Sequence, residues 1–141
     1  MAPTDNSKAD VVREAFEGFQ RLDMDAFTAA WHPEIVWDMR GYENWPGDEL
    51  EYVGEAEVIA GFAGYLSAVK SLQVDSLDVT PLDDGRVLGV HHERRTYETG
   101  EDSHLDIGTI YEFSPDDDQI VRVEVYTGHA QARRAAGLEP A

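Results

Sequence analysis

Proton chemistry in this chain has two candidate sources: one carboxylate among aromatic residues, and one segment rich in His and Arg. Asp38 follows the run Ile35-Val36-Trp37, with Trp31, Tyr42 and Trp45 nearby in sequence. Aromatic neighbours that exclude water make a carboxylate more basic, which suits a general base. The same residue at a strand end also suits a hydrogen-bonding cap, and both readings stay open. The second source is His91-His92-Glu93-Arg94-Arg95-Thr96. In a strand, alternate side chains of this segment face opposite ways. A four-residue turn over 99–102 pairs Glu98 with Ser103, which sets His92 opposite Thr109 and Arg94 opposite Ile107. That phase, the one expected here, turns His92, Arg94 and Thr96 inward. The other phase puts His91, Glu93 and Arg95 inside. An inward His suits acid/base work near neutral pH, and an inward Arg suits a developing enolate or a carboxylate.

Other chemistries are excluded by residue type. With no Cys there is no thiol nucleophile, disulfide or Cys-based metal site. His91 and His92 are adjacent, and His32, His104 and His129 have no ligand spacing, so no metal is expected. Phosphate loops, G-x-S-x-G and dinucleotide fingerprints are missing, and no cofactor is expected.

These side chains need elements to hold them. Val12, Ala15, Phe16, Phe19 and Leu22 recur at helical spacing after Ser7, which with Asp10 forms a weak capping pair. A short helix fits Asp25 to Trp31, and His32-Pro33 stops it. Ile35 to Asp38 reads as a brief strand, then 39–53 as a loop with three aromatics, Tyr42, Trp45 and Tyr52. Glu55 to Val69 predicts a third helix, with Val58, Ile59, Phe62, Leu66 and Val69 inward. Strands follow over 72–79, 86–98, 103–113 and 119–127, joined by short connections that favour antiparallel hairpins. Leu105, Ile107, Thr109, Tyr111 and Phe113 share one side of the third of these. Val121, Val123 and Val125 share one side of the last. His129 to Ala136 predicts a terminal helical turn. Helices first and hairpins after mean an α+β fold, helices packed on one face of a curved antiparallel sheet with a pocket in its mouth.

The chain has 141 residues and a net charge of -18, from 29 acidic against 11 basic side chains. Length predicts one domain over 8–138 after a flexible start at 1–7. The charge repels nucleic acid and anionic membrane surfaces, so neither is an expected partner. It fits a solvated acidic surface, or the steering of a cationic partner. No apolar run reaches a membrane-spanning length, and the first residues lack the pattern of a signal peptide, so a cytoplasmic protein is expected.

Three stretches carry a family likeness: "FEGFQRLDMDAFTAAWHPEIVWD", "YVGEAEVIAGFAGYL" and "HLDIGTIYEF…DDDQIVRVEVYTGHAQARRAAGL". They resemble the SnoaL-like branch of the nuclear-transport-factor-2 and ketosteroid-isomerase superfamily. The resemblance implies a conical barrel, a deep apolar pocket and a homodimer through the outer sheet face, where Ile110 and Tyr126 are expected. It places Asp38 where ketosteroid isomerases hold their general base. The family's oxyanion donors are replaced, by Ala15 or Phe16 on the helix and by Thr109 on the strand, which removes the usual route for steroid isomerisation. Arg94 is followed by Thr96, where the resemblance to limonene-epoxide hydrolases would want a carboxylate. His92 paired with Asp38 is similar to the scytalone-dehydratase branch. The expected function is a cofactor-independent isomerase, cyclase or dehydratase acting on a small hydrophobic carbonyl compound. Asp38 is its base and His92 or Arg94 its partner. Trp31, Trp37, Tyr42, Trp45, Tyr52, Phe62, Thr96, Ile107, Thr109 and Val123 line the pocket. The competing expectation is a module of the same fold that binds a ligand or a second copy without catalysis.

Overall fold

Apolar residues at helical spacing, then at alternate spacing, build two layers. The structure, a computed structural model, describes residues 4–21, 23–43, 49–67, 69–115 and 119–138, with the side chains of 4–7 and 64–66 outside that description. The expected positions Leu22 and Trp45 and the turn at 116–118 therefore lie outside it, as do the side chains of Ser7 and Leu66.

Helix α1 (Thr4–Gln20) starts three residues before Ser7. Asp10, expected as half of a capping pair, is instead bonded to Arg13 at 3.1 Å. α1 buries Val12, Ala15 and Phe16. Helix α2 (Met24–Thr28) is capped by Asp23, whose carboxylate accepts from the Ala26 amide, and it buries Phe27. α3 (Glu55–Leu66) buries Val58 and Phe62. Val69, expected at its end, belongs to a strand.

Six strands form one open sheet in the order β2-β1-β6-β5-β4-β3. They are β1 (Trp31–Gly41), β2 (Glu51–Val53), β3 (Val69–Pro81), β4 (Val87–Tyr97), β5 (Asp102–Phe113) and β6 (Ile120–Thr127). β3 to β6 are antiparallel neighbours, as short hairpins require. β1 departs from expectation twice: it runs eleven residues rather than four, and it pairs with β6 in parallel. No hairpin joins these two strands, because the rest of the chain lies between them. Its direction is therefore free of that constraint. β3 carries a register shift between Asp75 and Asp78, with Ser76 at φ 57, an irregularity that bends its strand. α1, α2 and α3 fill the inner hollow.

A second, smaller core covers part of the outer face. Helix α4 (His129–Ala135) packs Ala132 and the following Ala136 on Leu82, Leu88 and Ile110. Gly108 permits this contact, since a Cβ there would come within 2.1 Å of the Ala132 Cβ. Ile110 is thus buried beneath α4, and it gives no apolar surface for a second copy. No helix among the described residues is long and apolar enough to cross a membrane.

Candidate active site

β4 decides what chemistry the hollow can hold. His91, Glu93 and Arg95 are 2%, 3% and 6% exposed. Its other edge faces outward: His92 bonds Asp106 at 2.9 Å, Arg94 bonds Asp102 at 2.8 Å, and Thr96 bonds Asp102 at 2.9 Å. The expected phase of His92, Arg94 and Thr96 is therefore corrected to the opposite one. The cause is the hairpin. The Tyr97 amide donates to the Glu101 carbonyl at 2.9 Å, so the loop is the three residues Glu98-Thr99-Gly100. Gly100 at φ 91 closes it, as a three-residue loop requires. Thr96 then pairs with Asp102, His91 with Ile107 and Gly89 with Thr109. The shift from the expected register is three residues, an odd number, and every side chain changes face.

The three inward residues form a hydrogen-bonded row. Glu93 Oε1 lies 2.9 Å from His91 Nε2, and Arg95 Nε donates to Glu93 Oε2. Burial pushes the Glu93 carboxyl up. The His91 hydrogen bond and the Arg95 charge outweigh it and hold the group below the usual carboxylate range. An ionised carboxylate only accepts, so the shared proton sits on His91 Nε2. In the neutral ring the lone pair is then at His91 Nδ1, an atom that is buried with no partner among the described residues. Tyr42 meets Arg95 through a hydrogen bond; burial raises its phenol, and Arg95 opposes the rise.

Around this row the walls are aromatic. Phe16, Phe19, Phe27, Trp37, Met39, Tyr42 and Phe62 join His91, Glu93, Arg95, Ile107, Thr109, Tyr111 and Val125 around a cavity of about 60 Å³. Phe16 sets its ring edge-on to His91 at 4.7 Å. Trp37 packs against Phe62 at 5.0 Å and Trp31 at 5.3 Å. Tyr111 is buried with its phenol on Thr109, and burial raises it strongly.

Asp38 is not part of this cavity. Trp37 and Met39 turn inward from β1, so Asp38 between them turns to the opposite face. There its carboxylate accepts from Arg40 Nε at 3.0 Å, Arg40 Nη2 at 2.7 Å and Arg122 Nη2 at 2.7 Å. The Arg40 hydrogen bonds, with the Arg122 charge, hold it below the ordinary Asp range against the opposing effect of burial. A carboxylate so held is a weak base.

Of the expected lining residues, Trp37, Tyr42, Phe62, Ile107 and Thr109 border the cavity. Trp31, Tyr52 and Val123 are buried in the surrounding core instead. Asp38, His92, Arg94 and Thr96 face away, and Trp45 lies outside the described residues. His91, Glu93 and Arg95 belong to the phase set second. One sequence signal favours them: acidic Asp102 and Asp106 share a face of β5, and cross-strand charge pairing draws His92 and Arg94 to that face.

The SnoaL-like domain family matches residues 12–123. The chain belongs to the SnoaL-like domain family. Similar solved structures include an NTF2-like protein of unknown function from Burkholderia pseudomallei, at 22% identity and TM-score 0.72 over 90% of this chain and 95% of that one. A provisionally named polyketide cyclase from Xanthomonas campestris is 22% identical, with TM-score 0.71, over 94% of this chain and 98% of that one. TerC, co-crystallised with polyporic acid, is 15% identical with TM-score 0.73 over 92% and 98%. At these identities the likeness is one of fold. No curated protein matches the chain.

Proposed function

We propose that this SnoaL-like protein is a cofactor-independent acid–base enzyme that moves a proton on a carbon beside a carbonyl group of a small hydrophobic compound. The observation that carries this reading is the buried His91–Glu93 pair, with Nδ1 left without a partner among the described residues, beside an aromatic pocket. Glu93 fixes the tautomer of the ring and stabilises the imidazolium that forms when Nδ1 takes the proton. The C–H electron pair moves into the carbonyl, and the enolate oxygen receives hydrogen bonds from Tyr42 and Arg95. Return of the proton to another atom gives isomerisation, attack of the enolate on a second carbonyl gives cyclisation, and expulsion of a β-hydroxyl gives dehydration. The polyketide-cyclase name of one fold relative is in keeping with this chemistry.

A second reading, a module that only holds its ligand, draws on the small cavity and its close aromatic contacts. Exchange of the acetophenone methyl protons with deuterated solvent separates the two. Under the enzyme reading the protein accelerates exchange, and His91→Gln lowers the rate by roughly 10²–10⁴-fold. Acetophenone that binds without accelerated exchange supports the binding module.

A further inference from the structure

The cavity is small, and it has a direction. Of the side chains around it, Phe19 and Tyr42 reach solvent and the others are buried, so these two mark the mouth. Tyr42 also bonds Arg95, which sets the Arg95 end of the polar row toward that mouth. His91, beyond Glu93 on β4 and only 2% exposed, lies at depth. Two side chains close the space beside it. Phe16 sets its ring edge-on at 4.7 Å, and Ile107 is the cross-strand partner of His91.

Volume limits what enters. A protein cavity of about 150 Å³ takes the six ring atoms of benzene. One of about 60 Å³ therefore holds roughly two or three heavy atoms. The smallest unit that brings an acidic C–H together with its carbonyl has that size: the C–H carbon, the carbonyl carbon and the oxygen. Depth then orders the unit. The base lies deep and the enolate donors Arg95 and Tyr42 lie toward the mouth, so the C–H carbon enters first and the carbonyl follows. In an aldehyde the leading carbon is the formyl carbon, whose C–H is not enolisable. In a methyl ketone it is the methyl carbon. From size and direction we infer that the substrate is a methyl ketone, whose acetyl end fills the hollow at His91 while its larger substituent stays at the mouth between Phe19 and Tyr42. This deepens the proposed function and rests on it for the direction alone. A substituent on the inner carbon meets Phe16 or Ile107, and one methylene too many in an apolar pocket is worth about 10–200-fold. Growth at the outer end meets only half-buried side chains.

Calorimetric titration of ketones enlarged at one end or the other tests this. Propiophenone and isobutyrophenone add methyl groups to the inner carbon of acetophenone, and 2-acetonaphthone enlarges the outer group. Acetophenone is expected to bind at least about tenfold more tightly than propiophenone, with isobutyrophenone weaker still and 2-acetonaphthone within about threefold of acetophenone. Ile107→Val takes one methylene from the wall beside His91, and it narrows the gap between acetophenone and propiophenone at least about threefold. Exchange of the phenylacetaldehyde methylene protons stays at the solvent rate. Equal affinities for acetophenone and isobutyrophenone, a larger loss for 2-acetonaphthone than for propiophenone, or no binding by any ketone would overturn the assignment. So would an unchanged gap in a folded Ile107→Val protein, or accelerated exchange of phenylacetaldehyde. The expected affinity order without accelerated exchange of acetophenone sinks the catalytic reading alone. Accelerated exchange with no preference among the ketones sinks the acetyl assignment alone.

Discussion

β4 carries two His-to-Arg series one residue out of step, and the sheet separates them completely. His91, Glu93 and Arg95 sit in an aromatic hollow, each less than a tenth exposed. His92 and Arg94 find carboxylates too, on Asp106 and Asp102, but in reach of solvent. The side chains are nearly the same and the partners are nearly the same. What differs is water. Outside, an ion pair is screened and contributes little. Inside, a carboxylate fixes a proton on one nitrogen of a ring and leaves the other unpaired. Chemistry on this strand follows from parity, and parity follows from a three-residue loop.

The largest expected effect is on proton exchange. His91→Gln lowers exchange of acetophenone by roughly 10²–10⁴-fold, while His92→Gln, one residue away on the outer face, stays within about twofold of wild type. Similar losses in both variants would mean that the outer row contributes to the reaction.

This contrast also marks how far the sequence could be read. The layer order, the helix stripe with Val12, Ala15 and Phe16, and the inner side of β5 follow from spacing of apolar residues, a signal repeated many times along each element. The phase of β4 does not repeat in that way. It hangs on whether the hairpin loop holds three residues or four, and Thr99-Gly100-Glu101 admits both. β1 fails for another reason. Trp31, Trp37 and Met39 are buried within one long strand, but His32-Pro33 imitates a helix stop, and the parallel partner β6 lies most of the chain away. Asp38 suited a base by its aromatic neighbours in sequence, yet alternation sends Trp37 and Asp38 to opposite faces. The guanidiniums that hold it come from Arg40 and from Arg122, the second visible only in the folded chain.

The next effect is on stability. Glu93→Gln removes the carboxylate that Arg95 and His91 share and leaves Arg95 buried without its counter-charge, at a cost of about 3–5 kcal/mol. Asp106→Asn on the outer face, where the carboxylate is 60% exposed, changes stability by less than about 1 kcal/mol. Chemical denaturation of the two variants measures the difference directly. A Glu93→Gln protein as stable as Asp106→Asn would show that the inner row is not the dry network its burial implies. Asp38→Asn falls between them, at about 1.5–3 kcal/mol for charge-assisted bonds to Arg40 and Arg122. It keeps the exchange rate, because Asp38 lies outside the cavity. A loss of rate with an unchanged melting temperature would return the base to Asp38.

The smallest effect is the response to acid. Glu93 and Asp38 both have folded-state pKa values below their ordinary ones. In the unfolded chain such groups titrate at about 4.3 and 3.9. A carboxyl depressed by folding contributes its full stability above the unfolded value and loses it as pH falls through the folded one. The melting temperature should therefore change little on this account from neutrality down to about pH 5, and fall below about pH 4. Glu93→Gln removes one of the protons taken up on unfolding, so its acid decline is shallower from a lower starting point, and Asp38→Asn shows the same direction. Asp106→Asn also removes a depressed carboxyl, held by His92 in the open. Solvent screening makes its share the least. Melting curves at fixed ionic strength between pH 3 and pH 7 rank the three slopes. If Asp106→Asn flattens the decline more than Glu93→Gln does, the outer row couples to folding more strongly than the inner one.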